Sequence, residues 1–217
     1  MNLRNFLKYL LFNDTTFKGE FRALRRLAGP DCPRIIVDVG ANDGFYASNS
    51  FPFIARGWRA VLIEPHPGAY AKLQKLHAGK PGTVCLNIAC AEAAGERPLY
   101  FGLNSPGGSH STLSTDDQLS RVRSKDFTMV RVERLATVLA RQAVPNDFGI
   151  LSIDAEGLDY EVLLGLGLEE WRPRVIITED YQPTDGPKRE YLQKNGFRHA
   201  AQCPMNALWV RDRPPGR

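Results

Sequence analysis

Six carboxylates in this sequence stand where short apolar runs stop. Asp38 closes Ile35-Ile-Val, Glu64 follows Ala60-Val-Leu-Ile, and Asp154 follows Ile150-Leu-Ser-Ile, with Glu156 two residues on. Glu179 and Asp180 close Val175-Ile-Ile-Thr. A carboxylate can accept both hydrogen bonds of a ribose diol, take a proton from a weakly acidic hydroxyl or ligate a hard cation. Acids gathered in one cleft repel one another, so a chain with no ligand for them gains nothing by keeping them together. His110, inside the Ser/Gly-rich stretch 104–114, is the histidine best placed to act as a base near neutral pH. The plainer reading makes Glu156 a helix cap and His110 an exposed loop residue.

The stretch Ile35-Ile-Val-Asp-Val-Gly-Ala-Asn-Asp-Gly44 organises the rest. Its β-branched run predicts a buried strand, and Gly40 and Gly44 predict a tight turn at the strand's carboxyl end. In open α/β sheets ligands bind at that edge, and glycines there let the backbone lie against a ligand. A nicotinamide dinucleotide asks for Gly-x-Gly-x-x-Gly. Here Asn42 stands at the second glycine's position, and Asp38 would face a pyrophosphate. A carboxylate is better matched to a cationic ligand such as S-adenosylmethionine (SAM), which carries a sulfonium and an amino group and no phosphate. Glu64 lies 26 residues after Asp38 at the end of the next strand, where an acid can hold a ribose diol in either cofactor class.

These acids need a sheet to align them. Strands are predicted over Arg34–Val39, Arg59–Ile63, Thr83–Ile88, Arg97–Leu103, Phe127–Val132, Phe148–Ile153 and Arg174–Thr178, with an antiparallel pair at Phe197–Gln202 and Ala207–Arg211. Helices are predicted over Phe17–Ala28, Phe45–Ala55, Gly68–Leu76, Glu133–Ala143, after Gly157 through Leu166, and over Gly186–Asn195. Alternation of strand and helix gives an α/β, doubly wound, mostly parallel sheet. The periodic stretch 1–12 and the helix Phe17–Ala28 form an N-terminal helical extension, 1–33, before a single domain, 34–212. The 217 residues suffice for one such domain and its core.

A net charge of +4 without a Lys/Arg run argues against nucleic-acid binding. No apolar run reaches about 18 residues, which excludes a predicted transmembrane helix. No small-residue cleavage site follows 1–12, so no signal peptide is expected. That segment is read as a helix packing on the domain, with membrane-surface contact as the sharper alternative. Cys32, Cys85, Cys90 and Cys203 form no C-x-x-C pair and are expected to be reduced thiols, consistent with a cytoplasmic location.

The chain resembles the FkbM family of SAM-dependent methyltransferases. The resemblance rests on Val37-Asp-Val-Gly-Ala-Asn-Asp-Gly44, Ile63-Glu-Pro-His-Pro67, Asn87-Ile-Ala89 with Gly95-Glu96, Ile153-Asp-Ala-Glu-Gly157 with Asp159-Tyr-Glu-Val-Leu, and Val175-Ile-Ile-Thr-Glu179. It spans roughly Ile35 to Val210, and the Asp-x-Glu-Gly run is its most specific part. Ala155 and Asp159 stand where the family usually has Val and Glu.

The resemblance implies a Rossmann-like class I fold, seven-stranded with a C-terminal antiparallel hairpin, and O-methylation of sugar, glycan or polyketide hydroxyls. It places Asp38, Gly40, Asn42 and Gly44 at the methionine end of the cofactor, Glu64 and Pro65 at the ribose, and Asn87 and Ala89 at the adenine. Asp154, Glu156 and His110 are the candidate catalytic residues. Asp154, Glu179 and Asp180 resemble the Mg²⁺ site of other O-methyltransferases. The expected partner is a small-molecule or glycan hydroxyl acceptor, and a homo-oligomer is open. The rival readings are a non-catalytic SAM-binding module and a nicotinamide-dependent oxidoreductase.

Overall fold

The computed structural model describes residues 14–16, 19–102, 111–113, 123–180 and 186–212. His110, the predicted helix over 1–12 and the tail from residue 213 lie outside the described residues.

The main sheet has seven strands in the order β3-β2-β1-β7-β8-β10-β9. They are β1 (Ile35–Val39), β2 (Arg59–Ile63), β3 (Thr83–Leu86), β7 (Ile150–Ile153), β8 (Val175–Glu179), β9 (Phe197–Gln202) and β10 (Asn206–Arg211). The first five in this list are parallel, and β10 runs antiparallel between β8 and β9. The mostly parallel sheet and its closing hairpin are as the sequence predicts.

The two faces of each strand feed two cores. On one face Val37, Val39, Ile63, Leu151, Ile153 and Ile176 meet α4 (Leu135–Arg141), α5 (Asp159–Leu166) and α6 (Pro187–Lys194). On the other, Ile36, Leu62, Ile150 and Ile177 meet α1 (Glu20–Ala28), α2 (Phe51–Ile54) and α3 (Pro67–His77). Through Phe21, Leu24 and Ala28, α1 is built into this second core. By strand parity Asp38 points to the same side as Ile36.

Two elements differ from expectation. The helix expected over Phe45–Ala55 is reduced to α2, because side chains ahead of it capture the amides a helix would use. Asp43 Oδ1 accepts the Phe45 and Tyr46 amides at 2.9 and 2.8 Å, and Ser48 Oγ accepts that of Phe51 at 3.1 Å. Ala47 is left-handed, at φ 54°. Pro52, near the start of α2, has no amide to satisfy and fits a first turn.

The second difference is a separate three-stranded sheet. The strands read as Arg97–Leu103 and Phe127–Val132 are longer, β5 (Gly95–Gly102) and β6 (Arg123–Glu133). They pair antiparallel, and β4 (Ala89–Cys90) joins β6 in parallel. No two-residue turn motif links them in sequence, so their partnership had no local signature. The inner face of this sheet forms a small core of Ala89, Ala91, Leu99, Leu113, Val132 and Leu158.

Candidate active site

A cleft of about 310 Å³ opens at the carboxyl edge of the parallel strands, within the range of about 300–1,000 Å³ usual for small-molecule sites. Asp38, Gly40, Asn42, Glu64, Pro65, Ala89, Asp154, Glu156 and Glu179 all line it. Residues that the reading placed on five separate segments are therefore brought into one site. Gly44, Asn87 and Asp180 lie outside the lining.

Both oxygens of Glu64 are held. Oε2 accepts the Asn42 amide at 2.8 Å and Oε1 accepts the His66 amide at 2.7 Å. Each oxygen keeps another lone pair. Burial pushes the Glu64 carboxyl up to about 7, against the pull of those two amides. Asn87 supports this turn from outside: its amide nitrogen donates to the carbonyls of Glu64 and Pro65 at 2.8 and 3.0 Å.

Asp38 is buried, and burial raises its carboxyl; the hydroxyls of Ser50 and Ser152 offset part of that. Asp154 is exposed to solvent at the open cleft. Desolvation by the protein atoms crowding round it, followed by the charges of Glu179 and Glu156, pushes its carboxyl well above the usual range. Among the described residues, the lining contains no lysine or arginine to neutralise this group of acids.

The two glycines also serve packing, and Gly40 lines the cleft as well. A Cβ on Gly40 would stand 1.9 Å from the Asp154 carbonyl oxygen, and one on Gly44 would stand 2.5 Å from Leu73 Cδ1. Gly40 lets β1's turn cross against the backbone of β7's end. Gly44 seats the same turn on α3. Both have positive φ, at 86° and 76°.

Asp180 is drawn away from the cleft by Lys188, 3.5 Å from its carboxylate. The expected ligand trio Asp154, Glu179 and Asp180 is thus not assembled, and among the described residues no three His, Cys, Asp or Glu side chains converge as metal ligands. The residues present do not fit a dedicated Mg²⁺ cage.

Asp159 was legible only as part of the sequence motif, with no role attached. It is fully buried, and its two oxygens accept the amides of Ala155 and Glu179, each at 3.0 Å. Burial pushes this carboxyl to about 7, with Lys188 opposing. The carboxylate thereby fixes the turn after β7 to the end of β8. In that turn Glu156 is left-handed, at φ 49°, followed by Gly157 at 94°. Thr112 Oγ1 donates to the Glu156 carbonyl at 2.7 Å, and Thr112 also exchanges both backbone hydrogen bonds with Tyr100. The segment 111–113 is anchored in this way between β5 and the acid-bearing turn.

The cofactor test is one of shape and charge. Glu64 presents lone pairs suited to a diol, acids without lining cations among the described residues suit a sulfonium and an amine, and Ala89, Leu99, Leu113 and Leu158 supply an apolar wall. These features fit SAM. They do not fit a dinucleotide pyrophosphate, which asks for a helix N-terminus at the first turn; here six residues of turn and bend separate Gly44 from α2.

The strand order and site define a Rossmann-like methyltransferase. The methyltransferase FkbM domain matches residues 38–199, and the chain belongs to that family; it is a SAM-dependent methyltransferase. It is 29% identical to methyltransferase sdnD of Sordaria araneosa over 195 residues, covering 75% of this chain and 73% of that protein. The crystal structure of a methyltransferase from Geobacter sulfurreducens shares the fold, with a TM-score of 0.50 at 13% identity over 96% of this chain and 86% of that one. The structure of an FkbM methyltransferase from Methylobacillus flagellatus has a TM-score of 0.49 at 12% identity; 95% of this chain is covered, and it spans 59% of that protein's length. Among the described residues no helix is long and apolar enough to cross a membrane.

Proposed function

We propose that this methyltransferase acts on a hydroxyl oxygen of a sugar, glycan or natural-product acceptor. The observation that carries this reading is the set Asp38, Glu64, Asp154, Glu156 and Glu179 around one cleft without a lining lysine or arginine among the described residues. SAM, when bound, supplies an electrophilic methyl group on a sulfonium. Asp38 and Asn42 hold its methionine end, Glu64 accepts its ribose diol, and Pro65 and Ala89 border its base.

A hydroxyl acceptor must lose a proton as its oxygen is methylated. Asp154, whose proton affinity is raised by desolvation and by neighbouring acids, is the group on this chain best suited to take it. Glu156 and Glu179 keep that affinity high. The apolar residues Leu99, Leu113, Leu158 and Met205 exclude water from the cleft wall.

The test is calorimetric titration with SAM of the wild type and Asp38→Ala, with and without EDTA, followed by mass spectrometry over a panel of sugar and natural-product alcohols. Binding lost in the variant and an O-methylated product support the reading. Methylation confined to amines, or SAM bound without turnover of any alcohol, overturns it; the latter outcome favours the binding-module alternative.

A further inference from the structure

Ser111 carries a polar atom that the described residues do not satisfy. Its Oγ is buried with no hydrogen-bond partner among them, and Ser111 lines the cleft. The residue is not loosely held. Thr112 beside it exchanges backbone hydrogen bonds with Tyr100 at 2.9 and 3.0 Å and donates its hydroxyl to the Glu156 carbonyl at 2.7 Å. Leu113, next along, is 5% exposed and packs in the inner core of the second sheet. The backbone on the C-terminal side of Ser111 is thereby fixed against β5 and the acid-bearing turn. A buried hydroxyl is expensive to leave unpaired and is commonly completed by a ligand.

The position of Ser111 selects which part of the ligand it meets. This inference rests on the cofactor reading above. With the ribose diol on Glu64, the sulfonium end runs toward Asp38 and Asp154, and the base runs the other way, past Pro65 toward Ala89. The wall at that end is Ala89, Leu99, Leu113 and Leu158, which share one small core. Ser111 adjoins that wall as a polar group on the same strap as Leu113. Apolar walls and one hydroxyl match a purine, whose faces are apolar and whose edge carries hydrogen-bonding nitrogens.

We propose that the Ser111 hydroxyl hydrogen-bonds the polar edge of the cofactor's adenine, so that base recognition is supplied by the second sheet's strap and not by the main sheet alone. The residue is a binding residue; it takes no part in proton transfer.

The full chain is titrated calorimetrically with S-adenosylhomocysteine and with adenosine, as wild type, Ser111→Ala and Ser111→Cys, and each protein is melted without ligand. Both variants should lose affinity for both ligands by about tenfold, the size of one hydrogen bond to a buried group. Their ligand-free melting temperature should equal or exceed that of the wild type, because the alanine removes an unpaired buried hydroxyl. Affinities within twofold of wild type, or a lowered melting temperature with the same loss, overturn the assignment. Failure of the wild type to bind S-adenosylhomocysteine would instead overturn the cofactor reading on which it stands.

Discussion

The Asp159 carboxylate accepts the Glu179 amide at 3.0 Å, while its other oxygen accepts that of Ala155. One buried side chain on α5 thus sets the spacing between two strand ends that carry acids of the cleft. Asp159→Asn turns an acceptor into a donor against one of those amides. It should destabilise the fold by about 1–3 kcal/mol, the cost of a buried unsatisfied group, and weaken SAM binding. Urea unfolding and calorimetry measure the two effects; wild-type values in both would refute the positioning role.

Gly40→Ala should cost more than about 3 kcal/mol. Its Cβ would collide with a backbone atom, the Asp154 carbonyl oxygen, which cannot swing aside, and its φ of 86° is unfavourable for alanine. Gly44→Ala meets the flexible ends of Leu73 and His77 and should cost less. The order of the two urea midpoints is the check.

Binding should depend on pH through Glu64, whose folded carboxyl titrates at about 7 against an ordinary 4.5. Between these values the native protein holds a proton that the unfolded chain has shed. The ligand-free protein should therefore lose stability as pH rises from about 4.5 to 7. SAM affinity should move the opposite way, rising as the carboxylate forms. Glu64→Gln should bind weakly and flatten the profile. Melting curves from pH 5 to 8, with and without SAM, test both directions; a flat wild-type profile would remove Glu64 from the account.

Asp180→Asn should leave SAM affinity unchanged, since that carboxylate faces Lys188 outside the cleft. A loss of binding restored by added Mg²⁺ would contradict this and return Asp180 to a metal site.

The strand ends were readable because β-branched runs broken by an acid are a local pattern. Glu64 was found that way, and its place beside Asn42 follows from the parallel pairing of β1 and β2. Ser111 could not be found, because its interest comes from the lack of a partner, which only three-dimensional packing reveals. Asp43 and Ser48 explain why helical propensity misled over Phe45–Ala55: short polar side chains outcompeted the helix for its amides. The pairing of β5 with β6 is likewise a long-range fact, with Leu99 opposite Thr128 and Tyr100 opposite Phe127.

The acid-lined cleft has a bearing on turnover. Methyl transfer converts a sulfonium into a neutral thioether, so in the pose proposed above substrate and spent cofactor differ by one positive charge at the point nearest Asp38 and Asp154. A wall of carboxylates, without lining cations among the described residues, should grip the first more firmly than the second. On that pose the chemical step removes the charge that held the molecule in place, so departure of the by-product should be easier than departure of the donor.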